Sequence, residues 1–424
     1  MSDDRNPMKG FSKLPDRNAR LHRLIDQEII SSLQAEMLRR DDISKAWGER
    51  FIENFIGYWP IPLGFVCIPV DGVDRAVIYA NEERSVVAAA NRAATIFRKH
   101  RATIETKIIG EHLTVGQILM IVHPNKLDSF KTMLSDSSSR LVTVANDSVA
   151  LDMISRGGGV KRIYIKNIYP DIGSSNLGVS IHVDIDTVDA MGANKVTTIC
   201  EFISDILKEE SGCEALLAIL TNNVEKLVQA RVELPGINEN VARRIKIASR
   251  FAEKDLDRAV TNNKGMLNAL LAIAKATGND DRALAISFST YAMTCGKWPL
   301  STWEVEKDKL VGYFRAPIDV GTVGGAVMHP SAITCLEIMK IETAKDLRRV
   351  MAAAALAQNF AALLALTDKD KHFSVGHLGL QATNYAIQVG ANEDEIEAVV
   401  QMIRDNGELS TEGARRALRK IRSR

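Results

Sequence analysis

Residues 176–194 read NLGVSIHVDIDTVDAMGAN, and the period of the pattern changes within them. Val179, Ile181, Val183 and Ile185 alternate with other side chains, the spacing of a strand with one buried face. Asp189-Ala-Met-Gly-Ala-Asn194 then opens a helix that runs to about Glu209. Outward from this stretch, 117–123 is an apolar strand, and helical stretches cover about 127–155 with a break expected near Ser137. SRGGGVKR leads into a strand over 160–169, and 214–220 is a further apolar strand. The order β-α-β-β-α-β is that of a ferredoxin-like split sheet.

The flanks read as mostly helical, so the split sheet is expected to be an insert. Leu21 to Leu38 shows helical spacing and predicts one amphipathic helix. Gly57, Pro60, Pro62 and Gly64 forbid a long regular element over 51–65. A short strand over 76–80 meets a helix over about 85–99, with Glu82 and Glu83 at the junction. Further helices are expected near 238–260, 264–276, 280–294, 331–339 and 343–366, with a β-like piece at 309–314. The apolar run 350–366 is Ala-rich and interrupted by Gln358 and Asn359, which makes it a buried helix rather than a membrane span. Charge and Gly376 interrupt the pattern at 369–377, and short helices follow, one with an Asn392/Glu395 cap. The expected organisation is α+β: a large domain over 1–107 and 222–375, an insert over 108–221 and a C-terminal flap over 376–424.

Composition narrows the function classes. Of 424 residues, 54 are Lys or Arg and 53 are Asp or Glu, which argues against a nucleic-acid binder. The five cysteines are scattered without C-x-x-C, so neither a disulfide framework nor a thiolate metal site is expected. The eight histidines form no H-x-x-x-H pattern, and no metal is assigned. The N-terminus lacks the apolar region of a signal peptide, so a soluble cytoplasmic protein is expected, with no membrane partner.

Four constellations can carry chemistry. Gly157-Gly158-Gly159 and the Asp189–Asn194 loop are candidate phosphate cradles, although a triple glycine is more often a turn. G-x-G-x-x-G is absent, which excludes a doubly wound dinucleotide site. Lys264 is placed at an expected helix start, with Asp280 as its partner. The pair is either a structural salt bridge or a cation held to polarise a carbonyl. His377 follows Gly376: it is either an ordinary surface or core histidine or a proton donor on a movable segment. The basic tail (Arg415, Arg416, Arg419, Lys420, Arg422, Arg424) reads as a solvated helix face.

In order along the chain, KGFSKL, ENFIG, EERSVVAAA, RGGG, DAMGAN, NNKGMLN, TGNDDRA, VGGAVMHP, LAQN and GHLGL resemble the class II (bacterial) 3-hydroxy-3-methylglutaryl-CoA (HMG-CoA) reductases. The resemblance implies an oxidoreductase interconverting HMG-CoA and mevalonate plus CoA by two hydride transfers with NADH or NADPH, in a homodimer. It implies a catalytic set of Glu83 (proton donor), Lys264 (oxyanion stabiliser), Asp280 (network organiser) and His377 (protonating the CoA thiolate). It implies cofactor contacts at Asp189, Met191, Gly192, Ala193 and Asn194, with Gly157 and Gly158 nearby, and acyl contacts at Ser85, Asn222, Arg258 and Asn268.

Three positions depart from the family pattern. Arg84 replaces a common proline, and Gln381 replaces a second histidine. Val149 occupies the place of the acidic residue typical of NADH users, with Asp147 and Asp152 close by; the balance of the reading falls on NADH. The rival readings are a non-redox acyl-CoA lyase or hydrolase, and a catalytically inactive CoA-binding scaffold.

Overall fold

The structure is a computed structural model, and it describes residues 10–11, 14, 17–39, 53–54, 59–368 apart from 174, 225 and 297, and 382–423. The chain is a mixed α+β protein with two sheets. The helices are α1 (Arg17–Asp26), α2 (Ser32–Arg39), α3 (Arg84–Lys99), α4 (Leu127–Ser148), α5 (Leu151–Ile154), α6 (Ala193–Ser211), α7 (Glu239–Lys254), α8 (Leu256–Ala276), α9 (Asp281–Thr294), α10 (Pro330–Ile338), α11 (Ala344–Leu366), α12 (382–388), α13 (Glu393–Asp405) and α14 (Thr411–Arg422). The strands are β1 (Leu63–Val70), β2 (Val73–Ala80), β3 (Ile104–Ile109), β4 (Thr114–Val122), β5 (Gly159–Gly173), β6 (Asn176–Asp186), β7 (Glu214–Leu220), β8 (Leu227–Pro235), β9 (Ser301–Glu306) and β10 (Lys309–Pro317).

The central segment forms an antiparallel four-stranded sheet in the order β5-β6-β4-β7. Its chain order β4-α4-β5-β6-α6-β7 is the expected one, with the short α5 added. The alternation in β6 buries Val179, Ile181, Val183 and Ile185 in a core shared with α4 and α6. α4 runs unbroken to Ser148: Ser137 does not interrupt it, because its hydroxyl donates to the Met133 carbonyl of the preceding turn at 2.7 Å.

The flanking segments contain more β-structure than their periodicity suggests. A six-stranded sheet, β2-β1-β3-β8-β10-β9, gathers strands from both sides of the central segment. Only β2 and part of β10 carry a readable strand signal. β1 begins inside the Pro- and Gly-rich stretch, and the other strands gain their pairing from remote partners, which local pattern does not encode. The first amphipathic stretch is two helices, α1 and α2, separated at Glu28, whose φ of 55° is left-handed.

α11 packs against α3, α8 and the six-stranded sheet. It is long and apolar enough to cross a membrane by composition, yet Ala352 to Ala355, Leu356, Ala357 and Phe360 are all buried in the core. Small side chains let its backbone approach its neighbours from every side. Thr343 caps it, accepting from Asp346 N at 3.1 Å while Thr343 N reaches the Asp346 carboxylate at 3.3 Å. The two residues that seemed to interrupt the run are inside it. Asn359 accepts from Trp303 Nε1 at 2.8 Å and donates to Asn262 at 2.8 Å, and Asn262 donates to Ser301 at 3.1 Å. α12, α13 and α14 form a third, separate core around Ala386, Val399, Ile403 and Leu418.

Replacing Asn359 by Ala leaves Trp303 Nε1 and Asn262 Oδ1 buried without their partner, while Asn262 keeps its bond to Ser301. The expected loss is about 2–4 kcal/mol of unfolding free energy, measured by chemical denaturation; an unchanged midpoint would show that the chain of bonds contributes nothing.

Candidate functional site

The two glycine-bearing loops meet because of sheet register. Gly159 pairs with Asp186, so the turn before β5 lies beside the loop after β6. A Cβ on Gly158 would fall 2.6 Å from Val188 Cγ2, so only glycine permits this approach. Gly192 is the N-cap of α6 at φ 85°, and a Cβ there would meet Thr187 Cγ2 at 2.6 Å. Among the described residues no side chain caps α6, so its first-turn N–H groups meet no side-chain acceptor there. That donor set suits a phosphate. Met191 and Ala193 are half-buried and Asn194 is exposed; Gly157, also exposed, has open space above its Cα.

Asp189 has an additional, structural task. Its carboxylate accepts from Ala344 N at 2.8 Å, at the start of α11, and its carbonyl accepts from Thr322 N at 2.7 Å. Ala190 bridges Val323 in parallel, and Gly321 packs 2.5 Å (as a notional Cβ) from Met191 N. Asn279 holds the same segment, donating to Gly321 O at 3.1 Å and accepting from Gly321 N at 2.7 Å. The loop from the small sheet is thus fixed to the large-sheet side.

Below this contact is a buried charged cluster. Lys226 pairs with Asp319 at 2.7 Å, both essentially inaccessible. Burial lowers the Lys226 ammonium, and Asp319 opposes that shift. Arg348 donates to Ile318 O at 3.1 Å and Val320 O at 3.0 Å, and contacts His112 Nδ1 at 3.4 Å. His112 has a left-handed φ of 60° and its Nε2 has no hydrogen-bond partner among the described residues. Burial, with Arg348, Lys226 and Lys345 close by, lowers its pKa to about 4. Lys226, Asp319, Arg348 and His112 have no local motif; their remoteness in sequence hid them.

Glu83, Lys264 and Asp280 lie on α8 or on the elements next to it, and α8 packs against β2, α3, α7, α9 and α11. Glu83 is the N-cap of α3, directly after β2; its N–H donates to Asn81 Oδ1 at 2.5 Å, and Ser85 Oγ donates to its carboxylate. Lys264 lies in the middle of α8 rather than at a helix start, because the chain breaks at Asp255 instead of near 260. It is exposed and has no ion-pair partner among the described residues. The expected Lys264–Asp280 pair is not formed. Asp280 is the N-cap of α9 and accepts from Arg282 N at 3.0 Å and Ala283 N at 3.1 Å. Burial raises its carboxyl, but these bonds and the Arg282 guanidinium outweigh that and hold it below the usual range.

Arg258, on the first turn of α8, is half-buried, and burial lowers its pKa. Its Nε is buried without a hydrogen-bond partner among the described residues. Asn268 is half-buried on the same helix, and Asn222 is exposed after β7. His377 lies outside the described residues. None of the five cysteines is in a disulfide, and burial pushes the Cys67, Cys200 and Cys335 thiols up to about 12, which disfavours them as thiolate nucleophiles.

The architecture is that of an α+β chain in which a phosphate-suited loop is clamped beside cations and carboxylates. The particular family follows from comparison: the chain belongs to the hydroxymethylglutaryl-coenzyme A reductase family, whose model matches residues 16–382. It is 34% identical to a 3-hydroxy-3-methylglutaryl-coenzyme A reductase of Archaeoglobus fulgidus, covering 98% of this chain and 94% of the relative. It is 33% identical to a probable reductase of Borreliella burgdorferi, covering 74% of this chain and 73% of the relative. Among solved structures, a reductase from Streptococcus pneumoniae superposes with a TM-score of 0.79 at 29% identity, covering 98% of this chain and 99% of that one. A class II reductase from the same organism, bound to NADPH in open conformations, superposes with a TM-score of 0.78 at 29% identity, covering 85% of this chain and 100% of that one.

The His112 environment predicts a pH dependence of stability. In the unfolded chain this imidazole protonates near 6.5, whereas in the folded chain it stays neutral to about 4. The unfolded state therefore binds more protons between those values, and stability falls as pH falls. The contribution lost is about 3 kcal/mol. Urea midpoints of the wild type should drop more between pH 6.5 and 4 than those of His112→Gln; parallel curves would refute the assignment.

Proposed function

We propose that this chain interconverts HMG-CoA with mevalonate and free CoA, using NADH or NADPH, and that the active enzyme is a cytoplasmic homodimer. The observation that carries the residue assignment is the convergence on α8. Unpaired Lys264 rides on a helix whose first turn carries the unsatisfied Arg258, whose far end leads to Asp280, and which packs on the strand leading into Glu83. The bound nicotinamide supplies or accepts the two hydrides.

The remaining steps fall to side chains. Reduction of a thioester carbonyl places negative charge on its oxygen, and Lys264 stabilises that charge. Glu83, oriented by Ser85, delivers a proton to the carbonyl oxygen at the aldehyde stage. Asp280 remains ionised under the α9 N-terminus and organises Lys264 and Glu83 once the substrate is in place. His377 protonates the CoA thiolate as it leaves. Arg258 pairs its open Nε with the free carboxylate of the acyl group. Ser85, Asn222 and Asn268 complete the acyl contacts. The Asp189–Asn194 loop and the turn at Gly157 and Gly158 hold the cofactor phosphates on uncapped N–H groups.

Two features support the assembly and closure. Ile247, Phe251, Leu256 and Val260 are 50–60% exposed along α7 and α8, an apolar strip beside Lys264 of the kind subunit interfaces cover. The separate core of α12–α14 suits a flap that moves as a unit.

Purified protein given mevalonate, CoA and NAD or NADP should produce reduced cofactor, followed by absorbance. A lyase or hydrolase would turn over a CoA thioester without any cofactor change, and a scaffold would do neither. Lys264→Ala should lower kcat at least about a hundredfold with an unchanged circular dichroism spectrum; a fully active variant would refute its role.

A further inference from the structure

Lys195 is the third residue of α6, and its side chain reaches across to the segment before the triple glycine. Its Nζ lies 3.0 Å from Asp152 Oδ1. Arg156 converges on the same carboxylate at 3.8 Å and anchors itself by donating Nε to Asp152 O at 3.0 Å. Lys161 Nζ donates to Gly158 O at 3.0 Å. Three cations therefore lie near the open turn at Gly157, and two of them, Lys195 and Arg156, share the Asp152 carboxylate. Asp147, on the last turn of α4, forms no ion pair with them. Of the two carboxylates that favour NADH in the sequence, Asp147 and Asp152, the second is thus occupied: paired to Lys195 and Arg156, it is poorly placed to accept a ribose hydroxyl.

We infer that Lys195, with Arg156 beside it, binds the 2′-phosphate of NADPH, that Asp152 is its internal counter-ion in the free protein, and that the chain therefore prefers NADPH over NADH. The inference rests on the reading of the Gly157 turn and the α6 N-terminus as the nicotinamide-cofactor site. The pair that must open is weakly held. The Asp152 side chain is 56% exposed and that of Lys195 38%, so solvent screens their attraction. A 2′-phosphate carries close to two negative charges and three acceptor oxygens, against one charge on the carboxylate, and displaces it. NADH offers a neutral hydroxyl at that position and leaves the Lys195–Asp152 pair closed. Phosphate monoesters also accept several charge-assisted bonds at once, which suits a lysine and an arginine arriving from different elements.

The test is equilibrium binding to the full-length protein, by calorimetry or the fluorescence of the bound reduced nicotinamide. Wild type should bind NADPH about tenfold or more tighter than NADH. Lys195→Ala should weaken NADPH about tenfold and NADH less than about twofold, and Lys195→Arg should restore the preference. Asp152→Asn removes the competing carboxylate and should tighten NADPH while leaving NADH nearly unchanged. Adenosine 2′,5′-bisphosphate should compete better than adenosine 5′-monophosphate, and Lys195→Ala should erase that difference. Equal weakening of both cofactors would place Lys195 on a group they share, and no weakening would leave it a surface ion pair; either result overturns the proposal. If neither cofactor binds to the wild type, the nicotinamide reading itself fails.

Discussion

The buried Lys226–Asp319 pair is the constraint on which the arrangement of the two sheets depends. Both chain crossings between the sheets enter its surroundings: His112 lies between β3 and β4, and Lys226 between β7 and β8. Asp319 follows β10 and Arg348 comes from α11, so the large-sheet side supplies the answering groups. Buried charges are costly unless paired, and a pair that loses one member is strongly destabilised. Here the pairing is satisfied only when the β7–β8 crossing is seated against the segment after β10. Thr187, just before the Asp189 loop, also touches Lys226, at 3.4 Å. The charged cluster therefore ties the position of the loop to the position of the sheets.

The consequence for the site is that loop and helix are placed by the same contacts. Asp189 holds the start of α11, Asn279 grips Gly321, and Gly321 leaves room for the Met191 backbone. Asn279 is also the residue before Asp280, which caps α9. A displacement of the Asp189–Asn194 loop would be felt within a few residues of Asp280. Residues with a structural task and residues proposed for chemistry alternate along the same short segments, which accounts for the close spacing of glycine, asparagine and aspartate in them.

The small sheet was legible because its information is local. The alternation in β6, the helical spacing of α6 and the apolar run of β7 each belong to one element, and the β-α-β-β-α-β order follows from their succession. The large sheet was not: β1, β3, β8 and β9 depend on partners far away in the chain, and β3 pairs with β8 across the whole central segment. Lys264 lies inside its helix rather than at its start, since the Asp255 cap, rather than the hydrophobic period, sets where α8 begins. Asp280 was read as its partner, whereas the unfilled N–H groups of α9 claim that carboxylate first.

The order of the motifs by itself determined the family, and the amphipathic period by itself determined the central fold, because both are properties of residues adjacent in the chain. Tertiary structure decided which charges are neutralised and which are left open. Asp152 and Lys195 are separated by a hairpin, and Lys226 and Asp319 by most of the large-sheet half. Electrostatic pairing acts through space over a few ångströms and leaves no periodic trace in sequence, so only the folded chain shows that Asp152 is occupied while Lys264 has no ion-pair partner among the described residues.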